Sequence, residues 1–440
     1  MSGKILNPVT NHYEFSGTIG VFLITFGLPI VMIGFQLLVS REYLIQGINL
    51  KIDLVKSQIY NIGWKQLSLD KNVWLAYLSW FSILAVFDVG LPGKKLKGIK
   101  LRDGTKLDYN INGLLFTSLF VVVVGIRYKI TNGLLPELQF LYNNHLSFII
   151  VSIIFSFILS TFIYLNSFIP LVKKNGFNTK ERILSINGNT GNWFYDWFIG
   201  RELNPRFGSF DIKLFVELRP GLLLWLLINL SCLHHQYLSK GYVCNSLVLI
   251  NVLEGFYAFD GVLNEEGVLS MMDITTDGFG FMLIFGSLSL VPFTYSLQSR
   301  YLVLNEVNLG PVNIVFILAL FFAGYYIFHS SNKQKSDFRN GLLDDKHYKF
   351  IQTKTGSKLL CDGWWALSQH INYFGDWLIA WSWCLPTGFN TPLTYYYVIY
   401  FATLLLHRQV RDSAKCEAKY GETWRLYTSK VPYKIIPYVY

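Results

Sequence analysis

The sequence predicts an all-α polytopic membrane protein, with about ten transmembrane helices and both termini in the cytosol. Hydrophobic residues make up 52% of the 440 residues and charged residues only 15%, whereas an ordinary soluble domain is about one-quarter charged. Long stretches contain no Asp, Glu, Lys or Arg, and the longest of them can cross about 30 Å of hydrocarbon as helices. The remaining Lys and Arg fall mainly on alternate loops. Mean hydropathy is +0.34. This composition excludes a large soluble enzyme, a disordered chain, a coiled coil and a disulfide scaffold.

The first uncharged stretch covers residues 15–40. It is too long for the apolar core of a signal peptide and lacks a clean small-residue cleavage site, so it reads as a retained anchor. Shorter stretches at 72–87 and 109–126 give the next two spans. The stretch 138–172 holds one span plus interfacial loop, and further spans follow at 220–239, 241–253, 278–299 and 307–332. The stretch 377–407 is interrupted near Pro386, Thr387 and Gly388, and again at Pro392. Proline cannot continue a helix ladder, so this predicts a helical hairpin.

With a cytosolic N-terminus, the loops on that side lie at roughly 92–112, 170–212, 264–277 and 330–372, plus the tail beyond residue 407. Together with Lys4 they carry 27 Lys and Arg, against 9 in the opposite loops near 39–71, 127–137, 240 and 300. The asymmetry follows the positive-inside rule. The net charge of +10 is therefore mostly a topology signal. Basic residues scattered between lipid-facing helices argue against nucleic-acid binding.

Cys232, Cys244, Cys361, Cys384 and Cys416 form no CxxC and no metal-ligand spacing, and their odd number rules out a complete disulfide framework. They read as buried thiols. The eight His include no HExxH-like pattern, so no metal site is expected. Gly278-Phe279-Gly280 lacks the third Gly of a dinucleotide fingerprint, and no GxxxxGK[ST] occurs.

Four constellations depart from a lipid-facing pattern. On a helix, Arg408, Asp412 and Cys416 succeed one another at four-residue steps, with Lys419 and Tyr420 on the next turn. They read either as a basic anchor at lipid headgroups or as an anion site for a phosphate-bearing cofactor, Asp412 orienting the cations or accepting from a ribose hydroxyl. Lys335 and Arg339, four apart, are followed by Gly363-Trp364-Trp365 and by His370 to Asp376, whose aromatics and amides suit a flat heterocycle or an interfacial belt. Glu254, Tyr257, Asp260 and Asn264 make a polar stripe on the sixth span. Such a stripe glues helices together or supplies a proton from a buried Tyr or carboxylic acid. The run from Gly191 to Arg206 is too dense in polar residues and Gly to span a membrane and reads as a structured loop.

Two of these runs resemble the signatures of the sterol reductase family. One is Leu405-Leu406-His407-Arg408-x-x-Arg411-Asp412-x-x-x-Cys416-x-x-Lys419-Tyr420-Gly421. The other ends in Tyr195-Asp196-x-Phe198-x-Gly200-x-x-Leu203-Asn204-Pro205-Arg206, with Phe194 standing where the family usually has a small aliphatic. The similarity runs from Leu6-Asn7-Pro8 to Tyr440. Within the family the chain most resembles the fungal members that reduce the C14=C15 bond in ergosterol synthesis, through the runs Asp260 to Gly267 and Met272 to Phe281.

The resemblance implies a single membrane domain over 1–440, with the sterol-facing stripe in 1–300 and an NADPH-binding half in 301–440. It implies the endoplasmic reticulum membrane, a sterol substrate within the lipid bilayer, and association with other sterol-pathway enzymes. Carried over by motif, the cofactor contacts are Lys335, Arg339, Leu360, Trp365, Asn372, Tyr373, Asp412, Cys416, Glu417, Ala418, Lys419, Tyr420 and Tyr427. Tyr257 corresponds to the family tyrosine near the nicotinamide and is the expected proton donor, assisted by Asp260 or Glu266. The implied chemistry is protonation of a 4,4-dimethyl-8,14-diene at C15 and hydride delivery to C14. The rivals are a reductase of the C7 or C24(28) double bond, a membrane methyltransferase using S-adenosylmethionine, and a transporter or sterol-binding protein without chemistry.

Overall fold

The computed structural model describes residues 6–39, 62–172, 179–343, 347–354 and 356–440. Lys4 and most of the expected loop at 39–71 lie outside the described residues. Among those described, eight helical segments are long and apolar enough to cross a membrane: α1 (Gly17–Val39), α2 (Trp64–Gly90), α3 (Gly113–Ile130), α4 (His145–Asn166), α5 (Ile212–Lys240), α6 (Asn245–Leu263), α7 (Phe281–Leu304) and α8 (Pro311–Arg339). The expected hairpin is present as α9 (Ile371–Cys384) and α10 (Tyr396–Tyr420), separated by two 3-10 turns. The hairpin helices fall outside the eight because α9 has only 14 residues and the last turns of α10 are charged. A final helix, α11, covers Glu422–Lys430.

Two helices run further than their apolar stretches. The uncharged stretch ends at Asn332, but α8 continues to Arg339, so Lys335 and Arg339 occupy its last turns instead of a loop beyond it. Cations there face the negative end of the helix dipole. Likewise α10 continues unbroken through Asp412 and Cys416. In contrast, α5 breaks at Arg219, whose ψ of −75 precedes Pro220. Short antiparallel ribbons complete the structure, among them β1 (Lys94–Lys100) with β2 (Lys106–Ile111) and β3 (Phe350–Gln352) with β4 (Lys358–Leu360).

The described residues fall into two compact units, one of 6–243 and 254–304, the other of 244–253 and 305–440. In the first unit, Phe148, Ile149 and Val151 of α4, Leu224 and Ile228 of α5, and Phe281, Phe285 and Phe293 of α7 share one core with Tyr195, Trp197 and Phe198. The last three belong to a short helix, Trp193–Ile199, within the loop read from sequence. Asn192 caps it, its side chain accepting from the Phe194 and Tyr195 amides. The buried Asp196 carboxylate accepts from the Thr190 and Gly191 amides and the Thr190 hydroxyl. The helix stops at Gly200, whose φ of +99 and close approach to Gly278 leave no room for a side chain: a Cβ would fall 2.3 Å from the Gly278 carbonyl carbon. Gly278-Phe279-Gly280 is thus a packing surface for this loop.

Arg219 gathers the ends of four spans in the same unit. Its guanidinium pairs with Asp88 of α2 at 3.2 Å and with Glu265, just past α6. It also donates to the Asn112 side-chain oxygen at 3.1 Å, and Glu265 accepts from the Gly113 amide at the start of α3 at 2.8 Å. The Arg219 and Glu265 side chains are 3% and 1% exposed, so these charges are paired with each other instead of with water.

In the second unit, α8 and α9 cross at Gly324 and Gly375, where a Cβ on either would come within 2.7 Å of the other's carbonyl oxygen. This crossing sets the last turns of α8 beside the start of α9.

Candidate active site

The polar stripe lies in the first unit. Glu254 is fully buried, and its Oε2 accepts from Trp225 Nε1 at 3.0 Å and Asn229 Nδ2 at 2.5 Å. Tyr257 and Asp260, one and two turns on, are half-buried. Asn264, exposed just beyond the helix, donates to Asp260 Oδ1 at 3.1 Å. The two neighbouring glutamates separate by environment. Glu265 is buried against Arg219, while Glu266 sits at the surface, paired with Lys94 at 2.7 Å with its side chain 48% exposed. An exposed pair of that kind contributes less than about 1 kcal/mol.

The basic and aromatic residues of the second unit converge. Lys335 Nζ lies 3.7 Å from the centre of the Trp365 ring. Trp365 is buried, donates through Nε1 to the Ser331 carbonyl at 2.9 Å, and shares a cluster with Phe338 and Leu360. Adjacent residues of a strand face opposite sides. Accordingly Leu359 packs in a different cluster, with Ile351, Cys416, Tyr420, Trp424 and Tyr427. Burial pushes the Tyr427 hydroxyl above the usual tyrosine range, so it stays protonated at neutral pH. Arg339 is exposed at the end of α8.

Asn372 Nδ2 donates to Asn332 Oδ1 at 3.2 Å, while its own buried Oδ1 has no hydrogen-bond partner among the described residues. Tyr373 stacks on His370 with ring centres 4.8 Å apart. His370 in turn faces Asp412 of α10, Nε2 to Oδ2 3.8 Å, and Asp412 neighbours Cys416 at 4.0 Å. Burial holds the His370 imidazole below its usual range, Asp412 opposing and Lys335 reinforcing that shift. The C-terminal tail straps this corner: the His370 amide donates to the Lys434 carbonyl at 2.8 Å and the Gln369 amide to that of Tyr433 at 2.9 Å.

Lys335, Leu360 and Trp365 thus share one cluster and Cys416, Tyr420 and Tyr427 another, Tyr373 and Asp412 both meet His370, and Asn372 meets Asn332. Glu417, Ala418 and Lys419 are exposed on α10, with Glu417 paired to Arg425 at 3.5 Å. The five cysteines are free thiols, with Cys232, Cys244 and Cys384 buried and Cys361 and Cys416 half-buried. Sequence reasoning took His370 only as the start of an aromatic and amide run, giving it no role of its own, and did not single out Asn332 or Ser331. A histidine just before a helix carries no signal of its own, and only the fold shows that it meets Asp412, 42 positions along the chain.

Comparison with known proteins decides the family. A model described as the ergosterol biosynthesis ERG4/ERG24 family matches residues 9–440. The chain belongs to that family. It is 62% identical to a delta(14)-sterol reductase of Candida albicans, covering the whole of both chains. It is 61% identical to a delta(14)-sterol reductase of Saccharomyces cerevisiae over 99% of each, and 45% identical to one of Schizosaccharomyces pombe over 97% of each. Within this ERG4/ERG24 chain, Tyr195, Asp196 and Gly200 of the sterol-reductase-like run that ends at Arg206 are buried in loop packing. Arg206 of the same run pairs with Asp211 at 2.9 Å and covers the Tyr109 ring. A cavity beside this run, of about 110 Å³ and walled by Glu202, Leu203, Asn204 and Arg206 among others, is well below the range that holds drug-sized ligands.

Proposed function

We propose that this chain is a delta(14)-sterol reductase of the endoplasmic reticulum membrane, acting on 4,4-dimethyl-8,14-dienes of ergosterol synthesis with NADPH as reductant. The identity of 62% over the full length of both chains with a delta(14)-sterol reductase carries this reading. The residues of the second unit fit the dinucleotide. Lys335, placed over the Trp365 ring, and Arg339 supply cations for a phosphate. The buried Trp365 ring backs Lys335, Tyr373 is a half-buried aromatic, and His370 Nε2 and Asn372 Oδ1 are buried polar atoms with no hydrogen-bond partner among the described residues. A buried polar atom left unpaired is costly, so both favour a ligand with donors and acceptors.

On the same reading, Tyr257 donates the proton that forms the new C15–H bond, leaving a cation at C14. NADPH, held by the residues of the second unit, would supply the hydride for C14. The tyrosinate left behind regains its proton from solvent water by way of Asp260, which Asn264 holds, while Glu266 stays at the surface with Lys94.

Lys335 gives the test of cofactor choice. Lys335→Ala is expected to raise the NADPH KM about 10- to 100-fold, the loss of one hydrogen bond to a charged group, and to leave the NADH KM nearly unchanged. Steady-state kinetics with each cofactor measure this, and equal effects on both argue against a 2′-phosphate contact.

A further inference from the structure

We infer that His370 is a cofactor-positioning residue, its imidazole Nε2 and the Asp412 carboxylate forming a two-pronged clasp for one sugar hydroxyl of the dinucleotide. The inference rests on the NADPH reading above and assigns a role within that site.

Three observations carry it. His370 is 5% exposed, yet its Nε2 has no hydrogen-bond partner among the described residues. Asp412 Oδ2 stands 3.8 Å from that nitrogen, too far for a direct bond and the right separation for one oxygen to touch both. The ring cannot swing away to close the gap. It is stacked on Tyr373 at an interplanar angle of 14°, and its backbone is tied to the C-terminal tail.

The chemistry of the two prongs selects the ligand. A carboxylate accepts and repels a phosphate oxygen, so the bridging group has a proton to give. Burial keeps the imidazole neutral at neutral pH, so Nε2 donates or accepts according to its tautomer. A hydroxyl gives its one proton to Asp412 and accepts from Nε2–H, which is the tautomer the clasp requires. Phosphates are left to Lys335 and Arg339, whose charges have the opposite sign. Ribose is the part of a dinucleotide that offers hydroxyls, so the clasp takes a ribose.

The test is NADPH titration by tryptophan fluorescence on the full chain in lipid nanodiscs. The variants are H370F, which keeps the stack but has no polar edge, H370Q, which keeps a polar tip at similar reach, D412N, and H370F/D412N. The clasp predicts that H370F raises the NADPH Kd about five- to tenfold with an unchanged melting temperature. It predicts that H370Q restores most of the affinity and that H370F/D412N binds no more weakly than D412N alone. Wild-type affinity in H370F, failure of H370Q to rescue, or full additivity in the double variant overturns the clasp. If H370F does not fold, H370N, too short to reach, replaces it against H370Q with the same expected ordering. An absence of NADPH binding in the wild-type chain overturns the cofactor reading itself, which is a different outcome from a wild-type chain that binds and an H370F that binds equally well.

Discussion

Tyr257→Phe is expected to lower sterol turnover by about 10²- to 10⁴-fold, the usual contribution of a positioned general acid, while NADPH affinity stays at the wild-type level. The substitution removes one oxygen from a half-buried side chain, so the fold is little disturbed. The effect belongs in kcat because the hydroxyl acts on C15 only as the proton moves. A Tyr257→Phe enzyme with wild-type turnover and intact NADPH binding removes Tyr257 from the donor role. Asp260→Asn separates the two groups: if Asp260 only assists, its variant loses less than the Tyr257 variant does.

Arg219→Met is expected to cost about 3–5 kcal/mol, the range for breaking a buried ion pair by removing one partner. The cost comes from Glu265 and Asp88, which lose their shared cation while remaining enclosed by the ends of α2, α3, α5 and α6. A thermal melt in nanodiscs measures it, read beside Lys94→Gln, which opens an exposed pair and is expected to change stability by less than about 1 kcal/mol. Replacing Arg219 and Glu265 together by apolar residues is expected to recover part of the loss, because the more deeply buried of the two stranded carboxylates goes with the cation and only Asp88 is left. An Arg219→Met protein as stable as wild type contradicts the structural role given to this network.

Much of this architecture is legible in the sequence because a bilayer imposes a simple rule. Charge-free stretches of sufficient length become helices, and the hairpin over 371–420 follows from Pro386 and Pro392. Helix ends are less legible. Nothing in an apolar stretch says that α8 continues to Arg339, since a helix has no need to stop where hydrocarbon stops. Polar pairing is the least legible. Glu265 and Glu266 are neighbours of identical chemistry, and only the packing of Arg219 sends one inside and leaves the other to Lys94. Lys335 and Arg339 could be read from their four-residue spacing, but the Trp365 face beneath Lys335 required the fold. The meeting of His370 with Asp412 likewise depends on how α9 and α10 pack.

The most direct measurement supplies purified full-length protein in nanodiscs with a 4,4-dimethyl-8,14-diene sterol and NADPH, and follows both cofactor oxidation and sterol mass. The account predicts one NADPH oxidised for each sterol gaining two hydrogens, with the 14,15 double bond lost. Diene recovered unchanged and NADPH unspent, from protein shown to be folded, would contradict it.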